Sequence, residues 1–195
     1  SLVDSFRERY IDCLGLYYFV GGMPEAVAEY AQSGSLDEVR TVQLELLEGY
    51  EHDFSKYSSP SEAERIWLVW RSLPGQLAKE NKKFVFSAVR PSGRARDFES
   101  AIQWLVDAGL AVRVPRVSKP GIPLSGYEDP SAFKLYMHDV GLLGAKSELS
   151  GRALLKGSGF FTEFKGSLTE QYVCQQLVAM GIKPRYWSAE ASSGE

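Results

Sequence analysis

The run RARDFESAIQWLVDAGLAVRV, residues 94 to 114, decides the fold. Its first half sets Phe98, Ala101, Ile102 and Leu105 at spacings of three and four, the period of a helix with one apolar face, and Gly109 stands where that helix should stop. The second half changes period. In Ala111-Val112-Arg113-Val114 apolar and polar residues alternate, as on a half-buried strand. The turn-rich stretch from Pro115 to Pro130 follows, and Phe133-Lys134-Leu135-Tyr136-Met137 alternates again. Helix, strand, Pro- and Gly-rich tip, strand is the order of a wing. Residues 79 to 139 are therefore expected to carry a winged helix-turn-helix, with the helix over 94 to 110 as its recognition helix.

Upstream, Ser59-Pro60-Ser61-Glu62 combines a Ser N-cap, a Pro at the first helical position and a Glu three residues after the cap. Ile66, Val69, Trp70, Leu73 and Leu77 continue that helix as an apolar stripe, and Pro74-Gly75 is expected to kink it or end it early. The link from this helix to Arg94 is basic. Lys79, Lys82, Lys83, Arg90, Arg94 and Arg96 face only Glu80, a local balance of plus five, so the rest of a chain of net charge −3 carries minus eight. Cations beside the N-terminus of a groove-sized helix suit phosphate contacts, because they release condensed counterions and the helix end itself favours anions. Asp97 and Glu99, directly behind the arginines, stand against such a contact. A winged helix can equally be a rigid protein-interaction module, with the lysines and arginines forming a solvated face.

Three segments follow from breaks in composition. Residues 1 to 57 read as helical: Leu2 to Leu14, Pro24 to Gln32, and a helix opened by Ser35-x-x-Glu38 and continued by Val39, Val42, Leu46, Tyr50, Phe54 and Tyr57. Residues 58 to 146 hold the winged module. Residues 147 to 195 hold a Gly-rich link, a helix from about Ser167 to Met180 ended by Gly181, and a strand-like run, Lys183 to Ser188. The expected fold class is mostly α with a small β component (α+β): an N-terminal helical segment, a winged helix and the start of an incomplete α/β domain.

With 44% apolar and 24% charged residues, the chain has ordinary globular composition. Cys13 and Cys174 form no CxxC and have no His nearby, so neither a zinc site nor a disulfide framework is indicated, and a reducing cytoplasm fits. No run approaches the roughly 18 apolar residues of a membrane span, and no membrane partner is expected. The first residue is Ser and the last run stops where a second strand is expected to begin, which suggests an internal piece of a longer protein.

The chemistry-bearing motifs are sparse. His52-Asp53 and His138-Asp139 contain both histidines, and with no third to complete a metal site, helix-end or strand-end hydrogen bonding is the expected role. Gly157-Ser158-Gly159 and Lys165-Gly166-Ser167 fit neither a Walker A loop nor a nucleophile elbow. Glu170, three residues after Ser167, fits a capping box, with a metal-binding carboxylate as the alternative.

Five motifs then carry a resemblance: Phe19-Val20-Gly21-Gly22-Met23-Pro24-Glu25; Tyr50-Glu51-His52-Asp53; Leu105-Val106-Asp107-Ala108-Gly109-Leu110; Phe133 through Leu142; and Gly166-Ser167-Leu168-Thr169-Glu170-Gln171-Tyr172-Val173. In this order they resemble the region that follows the ATPase core in a large family of bacterial and archaeal AAA+ type ATPases, a C-terminal domain of unknown function. The resemblance implies that the Walker motifs, and with them ATP and Mg, belong to an upstream core, and that this chain is non-catalytic and holds no cofactor. It also implies that the last segment is like a degenerate restriction endonuclease. There Glu170 matches a helix glutamate, Tyr186-Trp187-Ser188 matches a strand, and Glu195 stands just ahead of the missing aspartate.

Three functions are thus expected in turn. The first is a DNA-binding or regulatory module of a AAA+ type ATPase, with Lys82, Lys83, Arg90, Arg94 and Arg96 contacting double-stranded DNA and residues 115 to 130 as the wing tip. The second is a protein-interaction module that docks the ATPase core or another protein through the Phe54/Tyr57 stripe. The third is part of a nuclease-like domain, with Glu170 as its vestigial acidic position.

Overall fold

A computed structural model of the chain describes residues 2–56, 58–79, 83–150 and 159–188. Three helices come first, α1 (Leu2–Val20), α2 (Pro24–Ser33) and α3 (Leu36–Lys56). α1 runs six residues beyond the expected Leu14. Its last turns, Leu14 to Val20, are apolar or aromatic on every side, so they show no helical period, yet Tyr18, Phe19 and Val20 are buried. α3 starts where the capping box places it, the Glu38 N–H donating to Ser35 Oγ at 3.3 Å. Its buried residues include Gln43 and Leu47 beside the expected Val39 and Phe54.

α4 (Pro60–Ala78) follows Ser59 as expected and buries Ile66, Val69, Trp70 and Leu73 completely. Pro74 and Gly75 do not end it. Pro74 lacks an N–H and so forfeits one bond to the preceding turn, but the last turn is anchored from outside: Gln76 Oε1 accepts the Val85 N–H at 2.8 Å and Ser167 Oγ donates to the Leu77 carbonyl at 2.7 Å. A short α5 (Phe86–Val89) and α6 (Ala95–Asp107) complete this part, with Phe98, Ala101, Ile102 and Leu105 of α6 fully buried against α4.

β1 (Ala111–Val117) and β2 (Glu128–Met137) are longer than the alternating runs suggested and pair antiparallel, Ala111 opposite Met137 through Pro115 opposite Phe133. Beyond Pro115 the register slips, so that Arg116 meets Asp129. Hydrogen bonds from Ser131 and Arg116 hold the Asp129 carboxyl down to about 2. α7 (Val140–Lys146) is almost wholly buried, and α8 (Gly159–Ala179) closes the described fold. The chain is mostly helical with one two-stranded antiparallel sheet, an α+β fold. One continuous apolar core runs from Tyr18 and Phe19 of α1 through Phe54, Trp70, Phe98 and Ile102 to Met137, Leu142 and Leu168, drawing on all three expected segments.

Two expectations near the C-terminus need correction. α8 begins at Gly159, so Ser167 lies in mid-helix and caps nothing, and Glu170 is no capping-box residue. A Ser-x-x-Glu spacing fits a helix interior equally well when the hydroxyl finds another acceptor, here Leu77 of α4. The run Lys183 to Ser188 is not a strand but makes a single parallel bridge, Tyr186 to Arg116. Pro184 cannot donate to a ladder and Arg185 is drawn to Glu128.

Candidate nucleic-acid interface and the Asp139 hub

The turn between α5 and α6 gathers three of the five expected cations. Ser92 takes a left-handed φ of +61°. Gly93 lies so close to the preceding helix that a Cβ there would stand 2.7 Å from the Phe86 carbonyl oxygen. The Gly93 N–H closes the turn on the Arg90 carbonyl at 2.9 Å. Arg90 is thereby held over the Phe98 ring of α6, 5.7 Å from its centroid, while Arg94 and Arg96 stand exposed at the helix start. Lys83 is exposed elsewhere, next to Phe84, whose N–H is bonded to Phe133 of β2. Lys82 lies outside the described residues.

The two acids that stood against a phosphate contact are engaged. Asp97 Oδ2 accepts the Arg94 N–H at 2.9 Å, half of a capping box. Arg96 is 3.9 Å from Asp97 but 77% exposed, so that tether is weak. Glu99 pairs with Arg113 of β1, whose guanidinium lies 4.0 Å above the Phe133 ring. Arg96, Ser100, Gln103 and Asp107 then form the outward face of α6, with Gln103 donating to Asp107 at 2.7 Å.

Glu170 is engaged by β2. Its Oε2 accepts from Lys134 Nζ at 2.8 Å and from the Tyr136 hydroxyl at 2.9 Å. Burial, then the Glu170 charge, pushes the Tyr136 phenol well above its ordinary range. Among the described residues no group of three or more His, Cys, Asp or Glu could hold a metal ion. Cys174 is buried, which raises its thiol to about 12.

Asp139 is a buried carboxylate that accepts three hydrogen bonds. Placed between β2 and α7, its Oδ1 caps α7 by accepting the Leu142 N–H at 2.9 Å, and its Oδ2 accepts from the Gly22 N–H at 2.7 Å and from Gln175 Nε2 at 3.1 Å. Gly21, at φ +74°, passes so near that a Cβ would stand 2.2 Å from Asp139 Oδ1. Around this point Gln43 donates to the Phe19 and Val20 carbonyls at 2.8 and 3.0 Å, and Gln175 Oε1 accepts the Val140 N–H at 2.9 Å. The hub ties α1, β2, α7 and α8 together. Of the helix-end or strand-end bonding expected for this dipeptide, Asp139 takes the helix end, as the cap of α7. The glutamines leave one trace in the sequence, a polar residue inside an apolar helical stripe.

His138, the other half of that dipeptide, is mostly buried, with Nδ1 3.1 Å from the Leu110 carbonyl and its ring edge-on to Tyr50. Burial lowers its pKa below the ordinary value. The unfolded chain therefore takes up a proton first as pH falls, and the stability that neutral His138 contributes is complete above about 6.5 and lost below it. Thermal melts between pH 7 and pH 5 should fall more steeply for the wild type than for His138→Gln. Parallel curves would contradict this.

A family model described as a domain of unknown function, DUF8612, matches residues 12–153. No curated protein and no solved structure shows a significant match to the chain.

Proposed function

The chain belongs to the DUF8612 family, a domain of unknown function; from the motif resemblance and the placement of α6 we propose that it is a non-catalytic, DNA-binding or regulatory module of a AAA+ type ATPase. In this reading α4, α5 and α6 are the three helices of a winged helix and the β1–β2 hairpin is its wing. One observation carries it: α6 spends one face on the core and presents Arg96, Ser100 and Gln103 on the other, with Arg90 and Arg94 at its N-terminus. Thirteen residues make a helix about 20 Å long, enough to lie in a major groove. The arginines supply phosphate contacts, and Ser100 and Gln103 have the donors and acceptors that base edges require. Lys83 adds a further phosphate contact from beside β2.

Fluorescence anisotropy with labelled duplex tests it. The double substitution of Arg94 and Arg96 by Ala should weaken affinity about tenfold and reduce the log–log salt slope by roughly 2, one unit for each phosphate contact removed. Unchanged affinity would sink the proposal.

A second reading is docking to the ATPase core or another protein. The expected Phe54 stripe does not serve it, since Phe54 is buried, and Tyr57 lies outside the described residues. The first half of α1 favours it instead, because Phe6, Tyr10 and Ile11 are exposed there. Association of the chain with the ATPase core that does not weaken with salt, and without DNA affinity, would select this reading. The free thiols Cys13 and Cys174 agree with a reducing, cytoplasmic setting. No helix is long and apolar enough to cross a membrane among the described residues.

A further inference from the structure

Among the described residues, the outer edge of β1 is only partly used. On β2, Phe133 accepts the Phe84 N–H and Met137 bonds Gln171 through both main-chain groups, so the alternate residues Phe133, Leu135 and Met137 turn their main chains away from β1. Their register partners Pro115, Arg113 and Ala111 therefore turn theirs away from β2. At one end this edge already holds a parallel neighbour: the Tyr186 N–H donates to the Pro115 carbonyl at 3.1 Å, and the Val117 N–H donates to the Tyr186 carbonyl at 2.9 Å. Toward Arg113 that neighbour leaves. Pro184 has no N–H, and the Arg185 guanidinium is held by Glu128 at 2.6 Å. The gap is a cavity of about 600 Å³ with Ala111 and Arg113 on one wall and Val178, Ile182 and Pro184 on the other. Val178 and Ile182 remain 42% and 45% exposed there. Around it Arg113 is paired with Glu99 and Arg185 with Glu128, so the lining carries one cation in excess, the exposed Lys183.

The geometry points to a docking site for an extended, acidic and apolar peptide segment of a partner protein, which adds to β1 beside Arg113 as a third strand in line with Tyr186. The edge supplies main-chain hydrogen bonds, the Val178 and Ile182 wall takes alternate apolar side chains, and the Lys183 ammonium favours a carboxylate. This site is independent of DNA binding by the outward face of α6.

The probe is fluorescein-labelled Glu-Val-Thr-Val-Glu, amidated at its C-terminus and titrated into the full chain by anisotropy. Binding with a dissociation constant below about 1 mM is expected, about the range of a short added strand. Two N-methylated versions, each blocking one alternate set of amides, discriminate the mode. Only one edge of an added strand meets β1, so one version should lose about tenfold or more in affinity and the other should bind like the parent. Ile182→Glu, a partly exposed position, should also weaken binding about tenfold while leaving the circular-dichroism melt in place. Slowed amide exchange at Arg113 on peptide addition is the direct signature. Absence of binding at 1 mM, equal behaviour of both N-methylated peptides, or unaltered exchange at Arg113 would overturn the assignment.

Discussion

Replacing Asp139 by Ala is expected to lower the unfolding free energy by about 3 kcal/mol, the sum of a lost helix cap and of polar groups left without an acceptor. For a domain of this length that corresponds to a fall of about 10 °C in melting temperature. Three donors lose their acceptor at once: the Leu142 N–H, the Gly22 N–H and Gln175 Nε2. Asp139→Asn keeps one acceptor oxygen and presents a donor to whichever main-chain N–H the other had served, so it should cost roughly half as much. The hub also makes a coupled prediction. Gly21→Ala forces a Cβ into the Asp139 carboxyl and strains a left-handed φ. Made on an Asp139→Ala background, the same substitution retains only the φ cost. A double-mutant cycle by urea unfolding should therefore show coupling of about 1 kcal/mol or more, and additive effects would mean that the two positions do not meet as described.

Phe54→Ala should cost about 3–5 kcal/mol, the range for truncating a fully enclosed aromatic residue. Its ring stands edge-on to Trp70 at 5.9 Å and to Trp104 at 5.5 Å, which joins α3 to both α4 and α6. A loss below about 1 kcal/mol in urea melts would instead match a residue held out for a partner, as the helical stripe of α3 by itself suggested.

What could be read from the sequence follows from where local signals were unopposed. The starts of α3 and α4 and the buried face of α6 came from caps and a single helical period, and the structure keeps them. The readings that failed were decided by tertiary contacts. α4 passes Pro74 because Ser167 and Val85 hold its last turn. The end of α1 is enclosed on all sides and so loses the pattern that marks a half-buried helix. Ser167 and Glu170, spaced like a cap, serve Leu77, Lys134 and Tyr136 instead. For the site, the sequence placed Arg90, Arg94 and Arg96 near one helix end, but not the Glu99–Arg113 pair, because the partners lie on different elements. The groove beside β1 was out of reach, since it is made by elements far apart in sequence, joined at the Tyr186–Arg116 bridge and parted at Pro184.

The proposed contact of the basic turn before α6 with DNA phosphates is tested most directly by the affinity of the wild-type chain for labelled duplex DNA across a salt series. Four contacts from Lys83, Arg90, Arg94 and Arg96 predict that log affinity falls with log salt at a slope of about −3 to −4. No binding at low salt, or binding whose affinity does not change with salt, would contradict the account and leave this surface to protein partners.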